Sequence, residues 1–200
     1  MSLPSWATDP KSLLLTEDQY ESLPDHVRRS IEVIDNHVVF LHSGSPEHSR
    51  VARRLADIIE RARPIDPCVE VSTDVDMHFR RRRRDPEGTW FSFRRPDVTV
   101  HRCLERGSRL TSRDALAVVE IVSPGSEHTD TVQKVAEYAR EQIPVYLVVT
   151  LDEKLYVKVI REYRLDWSGM SYQLVAAHED ELELDVPFPV AVLFSELDRR

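Results

Sequence analysis

The sequence predicts an α/β (α+β) fold with a mixed central β-sheet flanked by helices. Residues 116–122 (LAVVEIV) and 145–149 (VYLVV) are near-continuous apolar runs, the pattern of strands covered on both faces. The stretch between them has helical spacing and short joints, which implies a right-handed parallel crossover. Beyond Thr150 the pattern turns antiparallel, with strands expected over 155–163 and 171–175 and an apolar closing segment over 186–194.

Taken in order, residues 1–15 read as a flexible lead-in and 16–200 as a single domain, in keeping with ~150 residues per domain. Thr16 followed by Gln19 fits a capping box opening a short helix that runs to Leu23. Residues 31–34, then Asp35-Asn36, then 37–41 read as a hairpin with a tight turn. Ser45-Pro46 is a good N-cap and N1 pair, and Val51, Leu55, Ile58, Ile59 and Ala62 recur behind it at helical spacing until Pro64. Short strands are expected at 68–71, 74–79 and 97–100. A loop over 123–128 leads to a helix over about 129–142, with Val132, Val135, Ala136 and Ala139 turned inward.

Composition excludes several classes. No apolar run approaches the ~18–20 residues of a membrane span, and the N-terminus lacks the basic and apolar stretches of a signal peptide. Cys68 and Cys103 have no C-x-x-C spacing, which argues against a disulfide scaffold or a zinc–cysteine site. A cytoplasmic protein is the expectation. The net charge of −8 opposes indiscriminate adhesion to nucleic acid, yet charge is sorted along the chain. Arg80, Arg81, Arg82, Arg83 and Arg84 are consecutive, and Arg94 and Arg95 follow. Such forks match phosphate oxygens, so these seven residues are candidate nucleic-acid contacts; the alternative is a solvated loop or contact with an acidic partner. Trp90, Phe91 and Phe93 offer either base stacking or packing.

Glu120 is the most informative residue, because its strand neighbours are all apolar. A buried ionised carboxylate is costly unless it is paired or binds a metal. Asp97 heads another apolar strand; if the strands are neighbours, two hard oxygen ligands converge, which suits Mg²⁺ or Mn²⁺. The bland alternative is a solvent-facing or salt-bridged Glu and a strand-start Asp. Asp130, Lys134 and Tyr138 lie at i, i+4, i+8 on the following helix, so Lys134 either forms a surface pair or reaches back to Glu120. His48 and His128 show no zinc spacing, and Ser123-Pro-Gly-Ser126 lacks a nucleophile elbow.

These motifs, in this order, resemble one family. Arg-Pro-Asp97-Val-Thr-Val, Val-Val-Glu120-Ile-Val-Ser123-Pro-Gly-Ser, Asp130-x-x-x-Lys134-x-x-x-Tyr138 and Ile-Pro-Val-Tyr-Leu-Val-Val are similar to those of the Uma-two family. Its members are bacterial restriction-endonuclease-like proteins of the PD-(D/E)XK nuclease superfamily. The Glu32 hairpin and the Pro46-x-His48 helix start fit too, so the resemblance spans roughly residues 16–150. It implies a restriction-endonuclease-like core, with Asp97 and Glu120 as metal ligands, the Ile121 carbonyl contributing, and Glu32 nearby. The superfamily's usual lysine, two residues past the glutamate, is Val122 here, and that role passes to Lys134. Asn36 stands where the family has a hairpin glycine; Asn tolerates left-handed geometry.

The expected function is Mg²⁺-dependent (or Mn²⁺-dependent) hydrolysis of DNA phosphodiester bonds. Asp97 and Glu120 would hold the metal, Lys134 would position water or offset phosphate charge, and Glu32 would support a second ion or orient the lysine. The alternative from another class is a catalytically inactive nucleic-acid-binding or protein-interaction module retaining the fold. A homodimer is expected by analogy with the superfamily.

Overall fold

The computed structural model describes residues 14–41, 44–80, 90–122 and 132–199. The lead-in up to residue 13, the arginine run from Arg81, the loop over 123–128 with His128, and Asp130 lie outside the described residues.

The chain opens with α1 (Glu17–Ser22), whose Thr16 and Gln19 form the reciprocal capping box, and a single turn, α2 (Asp25–Arg28). The hairpin β1 (Ile31–Ile34) and β2 (His37–Phe40) turns through Asp35 and Asn36, both at positive φ (49° and 65°), which Asn and Asp tolerate better than other side chains. Helix α3 (Pro46–Ala62) follows, capped by Ser45. It buries Val51, Ala52, Leu55, Ala56 and Ile59 along one stripe.

Among the described residues the strands form three sheets. The largest has six strands in the order β10-β9-β8-β7-β6-β3: β3 (Val69–Ser72), β6 (Val98–Arg102), β7 (Ala115–Val122), β8 (Val145–Leu151), β9 (Val157–Leu165) and β10 (Tyr172–His178). Within this sheet, among the described residues, only β7 and β8 pair in parallel, with α4 (Lys134–Arg140) between them in the chain. A four-stranded sheet, β2-β1-β5-β4, adds two-residue strands β4 (Met77–His78) and β5 (Phe93–Arg94). The third pairs β11 (Glu181–Leu184) with β12 (Val190–Leu193), and the described chain closes on α5 (Phe194–Leu197).

Strand alternation sorts the core. Ala117, Val119 and Ile121 of β7 face α3, with Val98, Val100, Leu147 and Val149 around them. Val118 and Val122 face the other way, toward Tyr138, Ile143 and Tyr146. Tyr20, Ile31, Val33, Phe91 and Phe93 form a third cluster over the small sheet. Phe91 and Phe93 are therefore packing residues, the second reading the sequence offered.

Four expectations are corrected. The strand over 74–79 shrinks to Met77–His78, because Asp74 takes a positive φ (53°) that breaks the extended path. β11 lies where the sequence indicated none, its Leu182 and Leu184 buried against β12. Cys68 and Cys103 form a disulfide; the antiparallel pairing of β3 and β6 brings their Cα atoms to 5.5 Å. Finally, Val132 and Ala136 are exposed, while Lys134, Glu137 and Tyr138 are buried, so α4 is rotated from the orientation its apolar residues suggested. No described helix is long and apolar enough to cross a membrane.

Leu55, fully buried at the middle of α3, tests the placement of the core. Leu55→Ala should lower unfolding stability by about 2–5 kcal/mol, and Arg53→Ala on the exposed face by no more than about 0.5 kcal/mol, both read by urea denaturation.

Candidate active site

Glu120 projects from β7 on the side opposite α3 and is 4% exposed. Its two oxygens are held separately by α4. Lys134 Nζ stands 2.8 Å from Oε2, and the Tyr138 hydroxyl donates to Oε1 at 2.6 Å. The i, i+4 spacing of Lys134 and Tyr138 stacks both on the face turned to the sheet, which accounts for the rotation of the helix. Burial, together with the charges of Glu120 and Glu32, pushes the Tyr138 hydroxyl well above its ordinary range, so it stays a hydrogen-bond donor.

Asp97 immediately precedes β6. The first β6–β7 pair is Val98 with Val119, so Asp97 stands just beyond the paired register at the Glu120–Ile121 end of β7. Its Oδ2 accepts the Ile121 amide hydrogen at 2.6 Å, and its Oδ1 lies 2.8 Å from His48 Nε2. His48 sits in the first turn of α3, where its amide donates to the Ser45 hydroxyl. Gly44 makes room for the imidazole: a Cβ there would come within 2.8 Å of His48 Cγ. Burial draws the His48 pKa down, but the bond to Asp97 and the charges of Asp97, Glu120 and Asp74 outweigh it, so the pKa lies above the ordinary value.

Behind α4 lies a second charged cluster. Arg94 is 2% exposed and forks onto Glu137, with Nε and Nη2 each 2.9 Å from a carboxylate oxygen, while Nη1 reaches Glu32 Oε2 at 2.6 Å. The other Glu32 oxygen accepts the Arg95 amide hydrogen at 2.7 Å. Arg95 donates to Asp76 and to the backbone carbonyls of Arg29 and Arg28. Offered by the sequence as nucleic-acid contacts, Arg94 and Arg95 both bond their guanidinium nitrogens within the protein, Arg94 fully buried and Arg95 partly exposed. Arg80 stays partly exposed, bound to Glu141 and Gln142. Glu32, at 1% exposure, faces Arg94.

The structure thus pairs Lys134 with Glu120, sets Asp97 on the amide of Ile121, and links Glu32 through Arg94 to Glu137 on α4. Among the described residues no three His, Cys, Asp or Glu side chains are gathered to hold a metal by themselves. The two carboxylates nevertheless supply hard oxygens, and Mg²⁺ is commonly bound through one or two carboxylates, with water and phosphate completing its shell. A soft-metal site has no support here, because both cysteines are tied to each other. Two participants were named in the sequence motifs without a role in the site. His48 had only its place at the helix start to mark it, and Tyr138 only its i+4 spacing from Lys134.

Comparison with known proteins gives this geometry its context. A family model, Uma2, described as "Putative restriction endonuclease", matches residues 17–195. The chain belongs to the Uma2 family. Among solved structures, a crystal structure described as a putative nuclease belonging to DUF820 from Anabaena variabilis ATCC 29413 superposes with a TM-score of 0.64 at 16% identity. The match covers 92% of this chain and 97% of that one, and it shows a shared fold. No curated protein matches. Uma2 membership accords with the restriction-endonuclease-like core expected from the ordered Asp97, Glu120 and Lys134 motifs.

The His48–Asp97 contact sets a pH dependence. A pKa raised in the folded state means that the contact stabilises the fold below about pH 6.5 and that this contribution is lost as pH rises through the folded-state value. Between pH 5.5 and 8.5 the wild type should therefore lose more thermal stability than His48→Gln, a comparison that Tm measurements across the series will settle.

Proposed function

We propose that this Uma2 protein is a Mg²⁺-dependent (or Mn²⁺-dependent) endonuclease acting on DNA, with Asp97 and Glu120 as its metal-binding carboxylates. The observation that carries this reading is a buried glutamate inside a sheet with an ammonium 2.8 Å from its oxygen, and a second carboxylate, Asp97, bonded to the amide of the next residue, Ile121. Held by these carboxylates, a divalent ion would lower the pKa of its water and offset charge on the phosphate. The Ile121 carbonyl, on the strand beside Glu120, is the third ligand in this proposal.

The chain's own groups do the rest. Lys134 shares the Glu120 carboxylate and stands ready to orient the attacking water or offset charge growing on the phosphate. Tyr138 fixes the other Glu120 oxygen, which leaves the carboxylate a single orientation. His48 does the same for Asp97. Glu32 acts at one remove: it holds Arg94, Arg94 holds Glu137, and Glu137 sits on the helix that carries Lys134. Glu32 is a positioning residue for the lysine in this scheme. Contact with the DNA backbone falls to Arg80 and to Arg81, Arg82, Arg83 and Arg84. A homodimer would place two such sites to cut both strands, and a cytoplasmic location would give access to DNA.

Cleavage of plasmid and short duplex DNA with Mg²⁺ tests the assignment. Asp97→Asn and Glu120→Gln should abolish cleavage, and Lys134→Met should slow it by roughly 10²–10⁴-fold. Mg²⁺ at about 100 times its Kd should stabilise the wild type by about 2.7 kcal/mol and leave Glu120→Gln unmoved. Full activity in Glu120→Gln would end the assignment. A wild type that neither cleaves nor responds to either metal would be the inactive binding module.

A further inference from the structure

Away from the Glu120 site, a cleft of about 150 Å³ opens between β4, the entry to β5 and the segment around Arg109. His78, Phe79, Trp90 and Phe91 line it, and beside them the half-exposed Arg109 is ion-paired to Glu17 and Glu21. That volume is well below the roughly 300–1000 Å³ of drug-sized sites and suits one flat heterocycle.

His78 is the residue that the fold alone does not explain. Its backbone is secured on both sides, by the Leu110 carbonyl and the Ser112 amide. Its ring is half-buried against Phe91 (5.9 Å) and Phe93 (5.7 Å), and its nitrogens make no hydrogen bond among the described residues. Burial and the nearby Arg109 charge lower its pKa, so the ring is neutral and presents one donor and one acceptor. Phe79 connects this cleft to the candidate active site. It lines the cleft and meets Tyr138 edge-on at 6.2 Å, and the Tyr138 hydroxyl holds Glu120. Arg80, first of the arginine run, follows directly.

We infer that this cleft receives one unpaired nucleobase of the DNA strand whose backbone lies at Glu120. The inference rests on the nuclease reading for its substrate and narrows it, from DNA in general to DNA that is single-stranded or locally opened. Phe79 and Trp90 offer faces that stack on any base, with Phe91 backing the cleft from the core, the imidazole hydrogen-bonds to the base edge in either sense, and Arg109 meets the adjoining phosphate by giving up a contact to Glu17 or Glu21. A base held within an intact duplex cannot enter.

The test is binding of a single-stranded heptamer carrying 2-aminopurine at its centre, followed by the probe's fluorescence in EDTA, beside the same sequence as a duplex. The probe should be quenched on binding as a single strand and unaffected in the duplex. His78→Ala and Phe79→Leu should each raise the Kd roughly fivefold to a hundredfold, the worth of one stacked base. If neither variant folds, Arg109→Ala, more than half exposed, should weaken binding and flatten its salt dependence. A bound strand whose probe stays bright, or folded variants that bind as tightly as wild type, overturns the inference. Cleavage of DNA without probe quenching removes the base site and leaves the nuclease standing. Quenching without cleavage under either metal removes the nuclease and leaves a base-binding cleft.

Discussion

A carboxylate inside a β-sheet must find positive charge or lose its own. Glu120 finds it in Lys134, and much of the surrounding architecture follows from that need. Apolar content alone would turn Val132 and Ala136 inward, but Val132 just before α4 and Ala136 within it are exposed, while Lys134, Glu137 and Tyr138 are buried. Removing one partner of such a buried pair typically costs about 3–5 kcal/mol, because the other charge is left uncompensated. The same demand recurs one turn away, where Glu137 requires Arg94 and Arg94 requires Glu32. Charge satisfaction, more than apolar packing, sets the orientation of this helix.

The Arg94 cluster also joins two parts of the molecule that the backbone keeps apart. Arg94 lies on β5 and Glu32 on β1, both in the four-stranded sheet, whereas Glu137 belongs to the helix packed on the six-stranded sheet. Their planar, bidentate contact fixes geometry more tightly than a point charge would. The position of Lys134 is thereby referred to both sheets at once.

The sequence made the central elements plain because their signals are local. The Thr16–Gln19 capping box, the Asp35-Asn36 turn, the Ser45-Pro46 helix start and the two apolar runs flanking α4 each depend on neighbouring residues. Glu120 stood out for the same reason, as the single charge in its run. What escaped depended on pairings distant in sequence. Arg94 looked like part of a basic surface until the fold set Glu32 and Glu137 against it, 62 and 43 residues away. His48 gained its meaning from Asp97, 49 residues on. The inward face of α4 was misread because apolar content is a poor guide where the facing strand carries a carboxylate. β11 was passed over because its Leu182 and Leu184 alternate with glutamates that read as surface.

The cysteine pair carries a topological consequence. Cys68 and Cys103 are 35 residues apart, and the arc between them contains every residue of the arginine run and Asp97. While that bond is intact the arc is a covalent ring, which in the chain-entropy model stabilises the fold by about 2–4 kcal/mol. A single backbone scission among the arginines would therefore open the ring without dividing the molecule: both pieces would migrate together until a thiol released them.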